Sequence, residues 1–185
     1  MTRHLVIAAL SALILASCSP SAPKKAAEKA GEINKLETEL KESSKKNAID
    51  TGTLKKLLKE YDQYANTFPA DSLTPIYLMK SAKFFDYFMM PDSAIQLYNK
   101  IYTQYPNSPK ASVALFSEAF IYNNEKHDLP KAKALYNEYL GKYPNTPLAK
   151  SAAIELFNLG KTPEQIMAEM DSVKHKMNAG SATPK

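Results

Sequence analysis

The sequence predicts an all-α fold, a superhelix of antiparallel helix pairs about three repeats long and closed by a C-terminal capping helix. Three observations predict it. The chain is written nearly twice: PDSAIQLYNKIYTQYPNSPKA from Pro91 to Ala111 returns 38 residues later as LPKAKALYNEYLGKYPNTPLA from Leu129 to Ala149. A fixed period of this length marks stacked units, each too small to bury its own apolar face. Within each unit, apolar residues recur at helical spacing. Each helix then ends at an aromatic residue and a proline, Tyr105-Pro106 or Tyr143-Pro144, and the next reopens at Ser108-Pro109 or Thr146-Pro147. Proline stops a helix, lacking the N–H, but suits the first turn of the next one, where that N–H would be idle.

At the N-terminus, Met1 to His4 is a short basic start, Leu5 to Leu15 an apolar run, and Ala16-Ser17 two small residues before the single cysteine, Cys18. The run is too short to cross ~30 Å of hydrocarbon as a permanent helix, so residues 1–17 read as a signal peptide. Leu15-Ala16-Ser17-Cys18 resembles the bacterial lipobox. That resemblance implies cleavage before Cys18 and acylation of Cys18 by palmitate-type chains, an anchor that holds stably at ~0.8 kcal/mol per buried methylene once two or three chains are present. The expected location is the cell envelope, anchored in the outer membrane with the domain facing the periplasm.

Residues 18–30, rich in Ser, Pro, Ala and Lys, read as a flexible tether. Residues 31–47 read as a charged helix with a thin stripe of Ile33, Leu36 and Leu40 and Glu-to-Lys pairs at i,i+4. The repeat domain is expected over 50–176. Its first buried face is Leu54, Leu57, Leu58, Tyr61, Tyr64, Ala65 and Phe68. Leu78, Ala82 and Phe85 follow on a helix from about 72 to 89, then Ala94, Tyr98, Ile101 and Tyr102. Leu115, Ala119 and Tyr122 lie on the helix after Pro109, and Ala132, Tyr136, Tyr139 and Leu140 on the helix after Pro130. Ala153, Ile154 and Phe157 lie on a helix that stops at Gly160, a C-cap glycine. Ile166, Met170 and Val173 form the cap's inward face, because an array of this kind needs a polar-backed lid. Residues 177–185 read as a loose tail.

Formal charge is +5 and falls to +4 when Arg3, the sole arginine, leaves with the signal. Every remaining basic residue is lysine, interleaved with Glu and Asp. Lysine is a point charge rather than the planar fork that reads phosphate bidentately, so nucleic acid is not expected as a partner. His4, His127 and His175 are not spaced to share a metal, and no phosphate loop, nucleophile elbow or HExxH occurs. Glu118 and Glu155 sit at equivalent places in successive repeats, which repetition alone produces. No catalytic residue, metal or cofactor is expected.

The periodic residues resemble tetratricopeptide repeats. Ala82 and Ala119 match the small residue of the first helix in a pair, and Phe85 and Tyr122 the aromatic three residues on. Ala94 and Ala132 open the second helix, Tyr98 and Tyr136 follow four residues later, and Pro106 and Pro144 end it. The link Tyr105-Pro106-Asn107-Ser108-Pro109-Lys110-Ala111 is similar to that of the BamD and YbgF C-terminal repeat class, whose repeats are longer than usual. The resemblance implies a right-handed superhelix and a lipoprotein that binds a protein or peptide in envelope assembly or maintenance. Alternatives are an accessory subunit of outer-membrane barrel-protein assembly and a peptidoglycan- or polysaccharide-binding module. In such repeats the first helix of each pair lines the concave face. The expected partner-binding residues are therefore Met79, Lys83, Asp86 and Tyr87 in one repeat, with Phe116, Phe120, Asn123 and Asn124 in the next.

Overall fold

The computed structural model describes residues 22–45 and 50–180, with side chains as far as residue 174. Cys18, the signal peptide expected over 1–17, and residues 181–185 lie outside the described residues. Among those described there are eight helices and no strand: α1 (Ala22–Lys45), α2 (Thr51–Thr67), α3 (Thr74–Tyr87), α4 (Pro91–Gln104), α5 (Lys110–Asn124), α6 (Leu129–Lys142), α7 (Ala149–Asn158) and α8 (Pro163–Gly180). From α1 to α7 each helix packs on the next, and α3 also touches α5. This is a helical solenoid of stacked pairs.

The punctuation works as the prolines predict. α2, α4 and α6 end at Phe68, Tyr105 and Tyr143, each donating its N–H to the carbonyl four residues back, Tyr64, Ile101 or Tyr139, at 2.8, 3.0 and 2.8 Å. At helix starts, a side chain takes up N–H groups that have no partner within the helix. Asp50 accepts from Gly52 and Thr53, and Asp128 accepts from Lys131. Thr162 and Gln165 cap each other, the Gln165 N–H donating to Thr162 Oγ1 at 3.3 Å and the Thr162 N–H to Gln165 Oε1 at 2.8 Å. That reciprocal box explains why the helix starts at Pro163. Gly160 takes a left-handed φ of 76°, which allows the reversal after α7.

Three apolar clusters run along the array. The first joins Ala26, Ala30, Ile33 and Leu36 of α1 to Leu57, Tyr61 and Tyr64 of α2 and Tyr77 of α3. The second centres on Ala82, Ala94, Tyr98 and Ile101, and the third on Ala119, Ala132, Tyr136 and Tyr139. Ala82, Ala94, Ala119 and Ala132 are fully buried. Small side chains let paired helices approach closely, and the tyrosines fill the space beside them, each large side chain contributing ~1.5–3 kcal/mol on burial.

Four expectations need correction. Helix α1 begins at Ala22, so most of the expected tether is helical: Lys24 to Ala30 is rich in Ala, Lys and Glu, all strong helix formers, and Ala26 and Ala30 are buried on α2. At the other end α8 continues to Gly180, past the expected start of the tail. On α7 the buried residue is Ala152, with Leu148, Ala149, Leu156 and Leu159 beside it, whereas Ala153, Ile154 and Phe157 are exposed. Both faces of α7 carry apolar residues, so periodicity alone does not choose between them. The cap is present as a helix, but its apolar side is open: Met170 is 66% exposed and Val173 lies in solvent.

Candidate functional site

A largely apolar hollow lies at the N-terminal end, between α1, α2 and α3. Its floor is Leu54, Leu57 and Tyr61 of α2. One wall is the last third of α1, Glu37, Leu40, Lys41 and Ser44, and the other is Lys80, Phe84, Tyr87 and Phe88 of α3 and its end, enclosing about 480 Å³. Beyond Leu54 it continues into a smaller hollow of about 270 Å³ lined by Thr51, Lys55 and Leu58 with the same two phenylalanines. The Phe84 and Phe88 rings lie 4.4 Å apart and Tyr87 meets Phe88 edge-on at 5.2 Å, a continuous aromatic wall.

A polar clamp sets the width of this groove. Glu37 of α1 accepts from the Tyr61 hydroxyl at 2.7 Å and from Lys80 at 2.5 Å. Lys80 also lies over the stacked rings of Tyr61 and Tyr77, 5.8 and 5.5 Å from their centroids. Burial, reinforced by the Glu37 carboxylate, raises the Tyr61 phenol well above its ordinary range, so it remains a donor.

At the rim, Tyr87 is 78% exposed and Phe88 45%, and Met89, the next residue along the chain, is 73% exposed. Local backbone chemistry puts them there. After α3 the chain turns back sharply, Met90 N–H donating to the Phe85 carbonyl at 2.8 Å, and Met89 adopts a left-handed φ of 54°. Pro91 then opens α4. Phe88, Met89 and Met90 are thus held out of the helix–helix contacts. Flexible, polarizable methionine beside aromatic rings makes an adaptable contact surface.

The eight residues expected to bind a partner do not form one surface. Met79 is buried in the second cluster, because α5 lies against that side of α3 and covers a flank that one helix pair alone would leave open. Phe116 is half-buried, edge-on to Tyr136 and Tyr139 at 5.8 Å each, with Phe120 beside it at the surface. Asp86 accepts from Tyr98 at 3.4 Å, and Asn123 donates to Glu155 at 3.3 Å. Asn124 donates to the Phe120 carbonyl, and Lys83 is exposed. Only Tyr87 joins the groove. Sequence reasoning missed Phe84, Phe88 and the α1 wall. The available signal was FDYFMMP, Phe85 to Pro91, with more apolar residues at a helix end than a single buried face requires.

Residues 77–108 and 113–146, which form α3 with α4 and α5 with α6, match the tetratricopeptide repeat family model. Both stretches are similar to tetratricopeptide repeats. Repeats of this family are in general non-catalytic scaffolds for protein–protein interaction. Comparison with curated proteins and with solved structures gives no significant match. The helix pair α1 and α2 therefore stacks on the first matched tetratricopeptide repeat, and the groove opens at that junction.

Among the described residues, no group of three His, Cys, Asp or Glu is placed to hold a metal ion. No described helix is long and apolar enough to cross a membrane. Glu118, buried beneath the Asn99 amide, has its carboxyl raised above the ordinary 4.5 by burial, an effect that Asn99 partly offsets. It lies between α4 and α5 rather than in the groove.

Proposed function

We propose that this chain is a cell-envelope lipoprotein, acylated at Cys18 and anchored in the outer membrane, whose repeat scaffold faces the periplasm. It works without chemistry of its own, taking up an apolar segment of a protein partner in envelope assembly or maintenance. The groove between α1, α2 and α3 carries this reading. Its apolar floor and aromatic wall, with Lys41, Lys80 and Glu37 at the edges, have the make-up of a small interface core with a polar rim. The apolar run from Leu5 to Leu15 and the residues leading to Cys18 support the anchor.

Two measurements test the two halves. Cys18→Ala should abolish fatty-acid labelling and leave the precursor uncut; normal processing would retire the lipoprotein. Crosslinked capture from envelopes should recover a partner with the wild-type chain and lose it with Phe88→Asp, whose circular dichroism should match wild type because Phe88 is already half in solvent. Recovery unchanged by Phe88→Asp would remove the groove from the function.

A further inference from the structure

The two ends of the array are complementary. At the N-terminal end, the aromatic groove is open. At the C-terminal end, α8 carries Ile166, Met167, Met170 and Val173 on one side, with Met167, Met170 and Val173 exposed. These residues follow i, i+4, i+7 spacing with Met167 alongside, so they make one stripe. From Ile166 to Val173 the stripe is about 10 Å long at 1.5 Å per residue, and the α1 wall from Glu37 to Ser44 spans about the same. Charge agrees with shape. Lys41 and Lys55 line the hollows and make no ion pair among the described residues, while the first half of α8 is acidic, with Glu169, paired to Lys161 at 2.7 Å, flanking the stripe and Glu164 and Asp171 on the helix's other side.

We infer that the segment taken up by the groove is α8 of a second copy of this chain. This rests on the groove reading proposed above and names its occupant. Helices α1 to α7 pack in chain order, so α8 and the groove stand at opposite ends of one molecule and meet between two. Such a contact is head-to-tail: each copy offers a groove at one end and a helix at the other, and copies add in a row. Anchoring in one membrane would favour it by raising the effective concentration of one copy near another. Methionines on the helix against Phe84, Phe88 and Tyr87 supply sulfur–aromatic contacts as well as apolar burial.

The test uses the full chain in the Cys18→Ala background, which removes the one native thiol and keeps the result independent of acylation. Two differently tagged copies are produced together, one with Phe88→Cys and one with Met170→Cys, and the intact cells are oxidised. A disulfide dimer should form between the two tags, be absent when either substitution is present alone, and be lost when Val173→Glu is added to the Met170→Cys copy. Replacing Met170→Cys by Lys133→Cys on exposed α6 should give no dimer. A dimer from Met170→Cys alone would mean that α8 pairs with α8, and overturns the assignment. So does no dimer from the mixed copies. If partner capture nonetheless remains sensitive to Phe88→Asp, the groove keeps its role and only the occupant assigned here is wrong.

Discussion

The centre of the array, α3 to α6, is closed, while the junction of α1, α2 and α3 is open, although both are built on tyrosines one repeat apart. The difference is visible at matched positions. In α5, Ser117 and Ile121 stand one repeat on from Lys80 and Phe84 of α3, and Ile121 is fully buried. Lys80 instead reaches Glu37 across the gap, and Phe84, only half-buried, lines it. A small or compact residue lets neighbouring helices close; a clamped lysine beside an aromatic side chain leaves room for something else. Repetition sets the scaffold, and departures from it make the site.

The strongest way to break this contrast is to overfill the closed half. Ala132→Phe should cost about 1–3 kcal/mol, because a buried alanine at a helix contact has no space for a ring. A denaturant midpoint equal to wild type would mean that α5 and α6 are not in close contact. A smaller effect separates tyrosines that share one place in the repeat. Tyr61→Phe removes a hydrogen bond to Glu37 and should lower stability by about 1 kcal/mol. In Tyr136→Phe the change should be neutral or slightly stabilising, since among the described residues that buried hydroxyl has no partner. Equal losses at both sites would remove the clamp from the account of the groove.

The smallest expected effect depends on pH. Burial holds the Glu118 carboxyl above its ordinary 4.5, so the folded chain binds that proton more tightly than the unfolded chain. This contribution is greatest below 4.5 and is lost as pH rises through the raised value. Glu118→Gln should therefore be more stable than wild type near neutrality, with the gap narrowing in acid. A gap that widened in acid would reverse the sign of the burial effect.

How much of this was legible beforehand varies along the chain. Where two copies could be compared, the boundaries and inward residues of α4, α5 and α6 followed from spacing and proline alone, down to Ala119, Ala132 and Tyr136. Towards the ends the comparison runs out. The Ser-Pro-Ala-Lys composition after Cys18 looks like a linker, yet Ala26 and Ala30 are small enough to seat a helix on α2. α7 offers apolar residues on two faces, and only contact with α6 selects Ala152. Met79 was placed on an open flank because one helix pair has such a flank; the neighbouring pair covers it. The groove was least legible, because three helices distant in sequence make it and only Tyr87 had been marked for its place on α3.

The two left-handed residues that end α3 and α5, Met89 at φ 54° and His127 at φ 52°, stand 38 residues apart, and neither is glycine. For an engineer seeking a hardier scaffold they are the natural first substitutions, since glycine relieves up to about 1 kcal/mol of steric cost in that conformation. They are not interchangeable. His127→Gly should be gained freely, because that side chain lies outside the groove, whereas Met89→Gly would gain heat resistance at the loss of the exposed, flexible thioether that follows Phe88 of the groove.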